Sequence, residues 1–173
     1  SMRELLSLTG KKILGINPPV EDFAFFDLWS KPVGILYLLQ KMRENKNEIS
    51  FIDMIHEASC GKKTFGREKI SSAEIDKPQV YSAIQRKYHR FGLSGEQLTK
   101  RLRSMEKPDI IFLTSVMTYW YGGVKHTIET VKKELPYTPV ILGGIYARLC
   151  PEHASFLGAD MTVTENWEPD AAM

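Results

Sequence analysis

A doubly wound α/β domain with a parallel sheet is the fold class this sequence predicts. Three observations carry the prediction. Short apolar runs recur along the chain, each ended by Pro, Gly or a polar cluster. Stretches with helical spacing of apolar residues separate most of them. The first run, the helix after it and the second run fit the length of one βαβ unit, which implies a parallel pair with a right-handed crossover.

Lys12 to Asn17, KILGIN, is stopped by Pro18 and Pro19 and reads as a buried strand. A loop follows, PPVEDFAFFDLWSKP. In VGILYLLQKMRENKN the residues Ile35, Leu36, Leu38, Leu39 and Met42 form a helical stripe. Lys and Arg gather near its end, where the helix dipole favours cations. EISFIDMI is the second strand. Residues 55–93 are polar and lack a clean period, and they read as an irregular insertion. A hairpin around Lys63 to Ile70 and a helical turn around Gln79 to Tyr88 are expected within it. SGEQLTKRLRSM is a helix with Ser94 as N-cap and Gln97 three residues on. DIIFLTS is the third strand, and the helix Val124 to Leu135 ends at Pro136. PVILGG is the fourth strand. PEHASFLG is a short helix with Pro151 in its first turn and Gly158 at its C-terminal side. ADMTVT is the fifth strand. The expected sheet order is 2-1-3-4-5, with an N-terminal arm at residues 1–10 and one domain at residues 11–165.

Composition agrees with a single core: 173 residues, 43% hydrophobic and 25% charged. A net charge of +2 is too small to argue for nucleic acid or an anionic membrane as partner. The basic stretches RKYHR (86–90) and KRLR (100–103) therefore read as solvated faces. No apolar run approaches the roughly 20 residues of a membrane span. The start, SMRELLSLTG, lacks the features of a signal peptide, and Ser1 reads as a cloning remnant before Met2. Cys60 and Cys150 are far apart without CxxC spacing, so neither a disulfide framework nor zinc is expected. Both read as free, partly buried thiols in a cytoplasmic protein.

Doubly wound sheets bind ligands at the carboxyl ends of their strands. That directs attention to residues 18–32, 55–60, 114–123 and 143–150. The segment TSVMTYWYGGVKHT (114–127) places Tyr119, Trp120 and Tyr121 before Gly122 and Gly123, as a packed turn, a ligand floor or a partner surface. Gly143 and Gly144 serve either close approach to a ligand or a tight turn. Neither the GxGxxG fingerprint nor a P-loop is present. Glu21, Asp22 and Asp27 lie amid Phe23, Phe25, Phe26 and Trp29. They are candidates for acid–base work or metal binding, or else solvated charges beside aromatics that cover the sheet end. His56, His89, His126 and His153 are scattered without HExxH or a nucleophile partner, and read as surface or core residues. No catalytic residue and no metal site is assigned.

The order KPVGILYLLQKMRENKNEISFID, KPDIIFLTSVMTYW, PVILGGIYARLCPEH and GADMTVT resembles the N-terminal cobalamin-binding domain of cobalamin-dependent radical S-adenosylmethionine enzymes. The resemblance covers about residues 11 to 165. It implies a flavodoxin-like sheet with the corrin over the carboxyl ends of the strands. It also implies a tail pocket lined by a Ser-x-Leu motif, here Ser115 and Met117, and by the pair Gly143 and Gly144. Around the corrin it implies Thr118, Tyr119, Trp120, Tyr146, Pro19 and Phe23. The family's wider Asp-x-His-x-x-Gly motif is missing after the first strand, which implies base-off cobalamin with no protein histidine on cobalt. Radical chemistry further needs S-adenosylmethionine and a [4Fe–4S] cluster held by three cysteines, and two isolated cysteines cannot hold one. The chain stops at TENWEPDAAM, where the family's linker begins. The resemblance thus implies an excised domain, with residues 166–173 leading to a C-terminal radical S-adenosylmethionine domain of the same native chain. Two readings of other classes stand beside it: a degenerate docking or regulatory module without corrin, and a flavodoxin-like binder of another ligand. The first-strand loop is not rich in Ser and Thr, as a loop that holds a flavin phosphate would be.

Overall fold

The computed structural model describes residues 1–25, 32–64 and 67–167, with backbone alone at 59–64 and 67–69. Its centre is a five-stranded parallel sheet of β1 (Lys12–Asn17), β3 (Glu48–Asp53), β8 (Ile110–Leu113), β9 (Val140–Leu142) and β10 (Met161–Thr162). The order is β3-β1-β8-β9-β10, the 2-1-3-4-5 arrangement that the sequence predicts. β1 lies central, paired in parallel with β3 from Lys12↔Glu48 to Asn17↔Asp53 and with β8 from Ile13↔Ile110 to Ile16↔Leu113. Buried on both faces, such strands are apolar throughout rather than alternating.

Alternate strand residues divide between two cores. Leu14, Ile16, Ile111, Leu113, Val140 and Leu142 face one side. There they meet α3 (Gly95–Arg103), α4 (Tyr121–Glu134) and two short helices, α5 (Ile145–Leu149) and α6 (Pro151–Ser155). Val124, Thr127, Ile128 and Val131 of α4 are buried at helical spacing, which is why this helix lies flat on the sheet. Ile13, Phe112 and Ile141 face the other side. They pack on Ile35, Leu38, Leu39 and Met42 of α2 (Val33–Glu44) and on Met2 and Leu5 of α1 (Met2–Leu6). Each such buried aliphatic side chain contributes roughly 1.5–3 kcal/mol of transfer free energy.

The predicted capping box at the start of α3 forms: the Ser94 side chain accepts from the Gln97 N–H, and Gln97 Oε1 accepts from the Ser94 N–H. Leu36, which the sequence placed on the stripe of α2, is largely exposed; the buried stripe runs at i, i+3, i+4, i+7 from Ile35.

The insertion is more ordered than its sequence suggests. β4 (Ser59–Thr64) and β5 (Arg67–Ile70) form the expected hairpin. β6 (Ser72–Glu74) and β7 (His89–Phe91) join β2 (Val20–Asp22) in a separate antiparallel sheet of order β2-β7-β6. The helical turn expected over Gln79 to Tyr88 is confined to a 3-10 turn at Gln79–Tyr81. Among the described residues no helix is long and apolar enough to cross a membrane.

Candidate functional site

The carboxyl ends of the strands carry the predicted loops, and the structure sorts their residues into three groups. The first joins the ends of β8 and β9. Ser115, only 2% exposed, donates its hydroxyl to the Gly143 carbonyl at 2.6 Å and accepts the Ala147 N–H at 3.4 Å. Ser115 and Gly143 are 28 residues apart in the chain, and parallel pairing of β8 with β9 brings them together. Gly144 has φ +95°, and a Cβ there would lie 2.3 Å from the Ser115 carbonyl oxygen. Glycine is required by both conformation and closeness. A Cβ on Gly143 would instead lie 2.0 Å from Cζ2 of Trp167.

Trp167 is thus the missing piece of this corner, and nothing marks it in the sequence beyond one tryptophan in the polar stretch TENWEP. Its indole is 5% exposed, lies edge-on to Phe112 at 6.3 Å, and belongs to the core on the α2 side. Its Nε1–H is buried and has no hydrogen-bond acceptor among the described residues. An orphaned buried donor is destabilising, so the indole fits this slot by shape and not by polarity. The slot beside Gly143 is filled by the Trp167 indole, a flat bicyclic ring. A dimethylbenzimidazole tail has the same shape, so the residues present fit the group that the sequence resemblance implies only with the indole displaced.

The second group is aromatic. Met117 is half-buried, and Thr118 and Tyr119 are exposed on a 3-10 turn at Thr118–Trp120. Trp120 donates Nε1–H to Asp22 Oδ2 at 2.9 Å and meets Phe25 edge-on at 5.7 Å. Phe23 turns toward the insertion, edge-on to Tyr81 at 5.7 Å and to Tyr88 at 5.2 Å. Asp22 is therefore an orienting acceptor for Trp120 rather than a solvated charge. Asp27, Phe26 and Trp29 lie outside the described residues.

The third group sits under the start of α4. Glu21 is buried, 4% exposed, and its Oε1 lies 2.5 Å from Nδ1 of His126. The partners are 105 residues apart in the chain, which is why their pairing is not visible in sequence. The carboxylate holds the His126 imidazole above its ordinary range, against an opposing effect of burial. Gly122 and Gly123 make this approach possible. A Cβ on Gly122 would lie 2.3 Å from Glu21 Oε2, and one on Gly123 would lie 2.0 Å from the buried Pro19 carbonyl. These two glycines let α4 seat against the chain's own loop. Tyr88 completes the corner by donating its hydroxyl to the Glu21 carbonyl at 2.9 Å, and burial pushes that phenol upward.

Tyr146 stands apart from the surface. It is fully buried on the inner face of α5, bonded through its hydroxyl to His153 Nδ1, and burial pushes its phenol up to about 12. Cys150 is a free thiol, half-buried; the side chain of Cys60 lies outside the description. Among the described residues no group of three or more His, Cys, Asp or Glu is placed to hold a metal ion.

Comparison with family models gives no match, and comparison with curated proteins gives none. Among solved structures, the chain is similar to a cobalamin-binding protein from Desulfitobacterium hafniense, with 13% identity and a TM-score of 0.48. The similarity covers 91% of this chain and 54% of that one, so the chain spans about half the length of that protein.

Proposed function

We propose that this chain is a cobalamin-binding domain, and that it serves a radical S-adenosylmethionine enzyme whose Fe–S domain follows residues 166–173 in the native chain. The observation that supports this reading is the corner where Ser115, Gly143 and Gly144 meet beside a slot shaped for a planar bicycle. Gly143 leaves one wall of the slot flat, because it carries no Cβ. Ser115 fixes the turn after β9 through the Gly143 carbonyl, and so fixes that wall of the slot. Met117, Thr118, Tyr119 and Trp120 offer partly exposed apolar area at the sheet end for a macrocycle, and Pro19 and Phe23 lie in the neighbouring loop. Bound cobalamin would supply a carrier for one-carbon groups, such as methyl. With no histidine in the described part of the first-strand loop, the domain would hold it base-off. The [4Fe–4S] cluster and S-adenosylmethionine would act from the second domain, in the cytoplasm.

Trp167 favours a second reading, a docking module that binds no corrin, because the indole already fills the slot. Titration with hydroxocobalamin, followed in the visible spectrum, separates the two. On the first reading the chain binds saturably, and Trp167→Ala binds at least as tightly because the competitor for the slot is gone. Replacement of His56, His126 or His153 by Ala leaves the bound spectrum unchanged. Absence of saturable binding by both the unmodified chain and Trp167→Ala supports the second reading.

A further inference from the structure

On the opposite face of the sheet from Trp167, a cleft of about 510 Å³ opens between the start of α4 and the β2-β7-β6 sheet. A second cavity, of about 350 Å³, shares Arg90 and His126 with it, so these two side chains stand at the junction. The walls are aromatic: Tyr81, Tyr88 and Tyr121 line them. Arg90, Lys125 and Lys77 bring positive charge. The buried Glu21 carboxylate is matched by His126 at 2.5 Å, which leaves Asp76 as the acid on the rim.

Arg90 is the residue that the fold leaves unmatched. Its register partner across the small sheet is Glu21, so both side chains lie on one face of the ladder. Glu21 is nonetheless taken by His126. Among the described residues Arg90 has no ion pair, and its Nε is buried with no acceptor. A desolvated guanidinium donor without a partner is unfavourable, and its planar fork suits a carboxylate or phosphate. Lys125, exposed in the second turn of α4, also has no ion-pair partner among the described residues.

We propose that this cleft is a second binding site, for a small planar aromatic anion: Arg90 and Lys125 take its phosphate or carboxylate, and Tyr81 and Tyr121 flank its ring. The site shares no residue with the Ser115–Gly143–Trp167 corner, though its Tyr81 meets Phe23 of the first-strand loop. Its size suits a mononucleotide or a smaller aromatic acid, within the range of ordinary ligand pockets of about 300–1,000 Å³.

The test uses isothermal calorimetry on the 173-residue chain. Adenosine 5′-monophosphate and indole-3-acetate probe the two sources of anionic charge; adenosine and inorganic phosphate probe the ring and the charge alone. At least one aromatic anion should bind saturably, about tenfold or more tighter than either control, a difference of about 1.4 kcal/mol. Arg90→Gln and Lys125→Gln should each weaken it about fivefold or more, and added salt should weaken it further. Lys125 is exposed on a helix, so its variant keeps the test valid where Arg90→Gln disturbs the small sheet. The proposal is overturned when neither aromatic anion saturates, when phosphate alone binds as tightly as the nucleotide, or when binding is indifferent to both charge substitutions.

Discussion

Two glycine pairs look alike in the sequence, one directly after β9 and one beyond the loop that follows β8, yet they do different work. Gly122 and Gly123 press α4 against backbone and a buried carboxylate that belong to the domain's own permanent frame. Gly143 presses against an indole side chain, while Gly144 presses against Ser115 backbone with a positive φ. A backbone neighbour cannot yield without moving a strand or a helix. A side-chain neighbour can swing away and leave room for something else. Gly123 and Gly144 therefore read as architecture, and Gly143 as the wall of a slot with a replaceable occupant.

The comparison breaks first at Gly123. Gly123→Val should destabilise the domain by about 3 kcal/mol or more, because the new side chain meets the Pro19 carbonyl and the helix cannot back off the sheet. Urea denaturation followed by circular dichroism measures it, and a loss near zero would mean that α4 slides freely. Next comes Gly143→Ala, at about 2 kcal/mol in the unmodified chain. The same change in a Trp167→Ala background should be nearly neutral, a coupling of about 1–2 kcal/mol in the double-mutant cycle. Additivity of the two substitutions would show that the indole does not define the slot. Ser115→Ala is smaller, about 1 kcal/mol, for a buried hydroxyl bonded to Gly143 and Ala147.

The smallest effect is electrostatic. His126 is raised by Glu21, so the pair's stabilisation is fully present below the ordinary imidazole value and is lost as pH rises through the raised one. The melting temperature should fall across that window, above about 6.5, and His126→Gln should flatten the profile. His126 is 57% exposed by side chain, so screening keeps the effect modest. An unchanged profile in His126→Gln would remove the pair from the account of stability.

The sheet was legible in sequence because its signals are local and strong. KILGIN and DIIFL are buried on both faces, and the stripes of α2 and α4 repeat with helical spacing. α1, α5 and the three strands of the small sheet were missed, since elements of three to five residues show no period. The proximity of Ser115 to Gly143 followed from strand order once the sheet was known. The roles of Glu21, His126 and Trp167 did not. Each depends on one contact between segments far apart in the chain, and a residue type alone carries no record of that.

The small sheet has a consequence for how the chain folds. It joins Val20 to Phe91 and Asp22 to His89, in strands of three residues each. Closing so long a loop sacrifices chain entropy before only a few ladder bonds return any of it. β1 and β3, six residues each and joined by a helix that packs on them, can assemble earlier. Nucleation should therefore fall on the β1-β3 unit with α2, and the β2-β7-β6 layer should dock last. In native-state hydrogen exchange the amides of β7 should open by local unfolding, well before those of β1, which should exchange only with global unfolding. The cleft at Arg90 would then be the last part of the molecule to form and the first to dissolve.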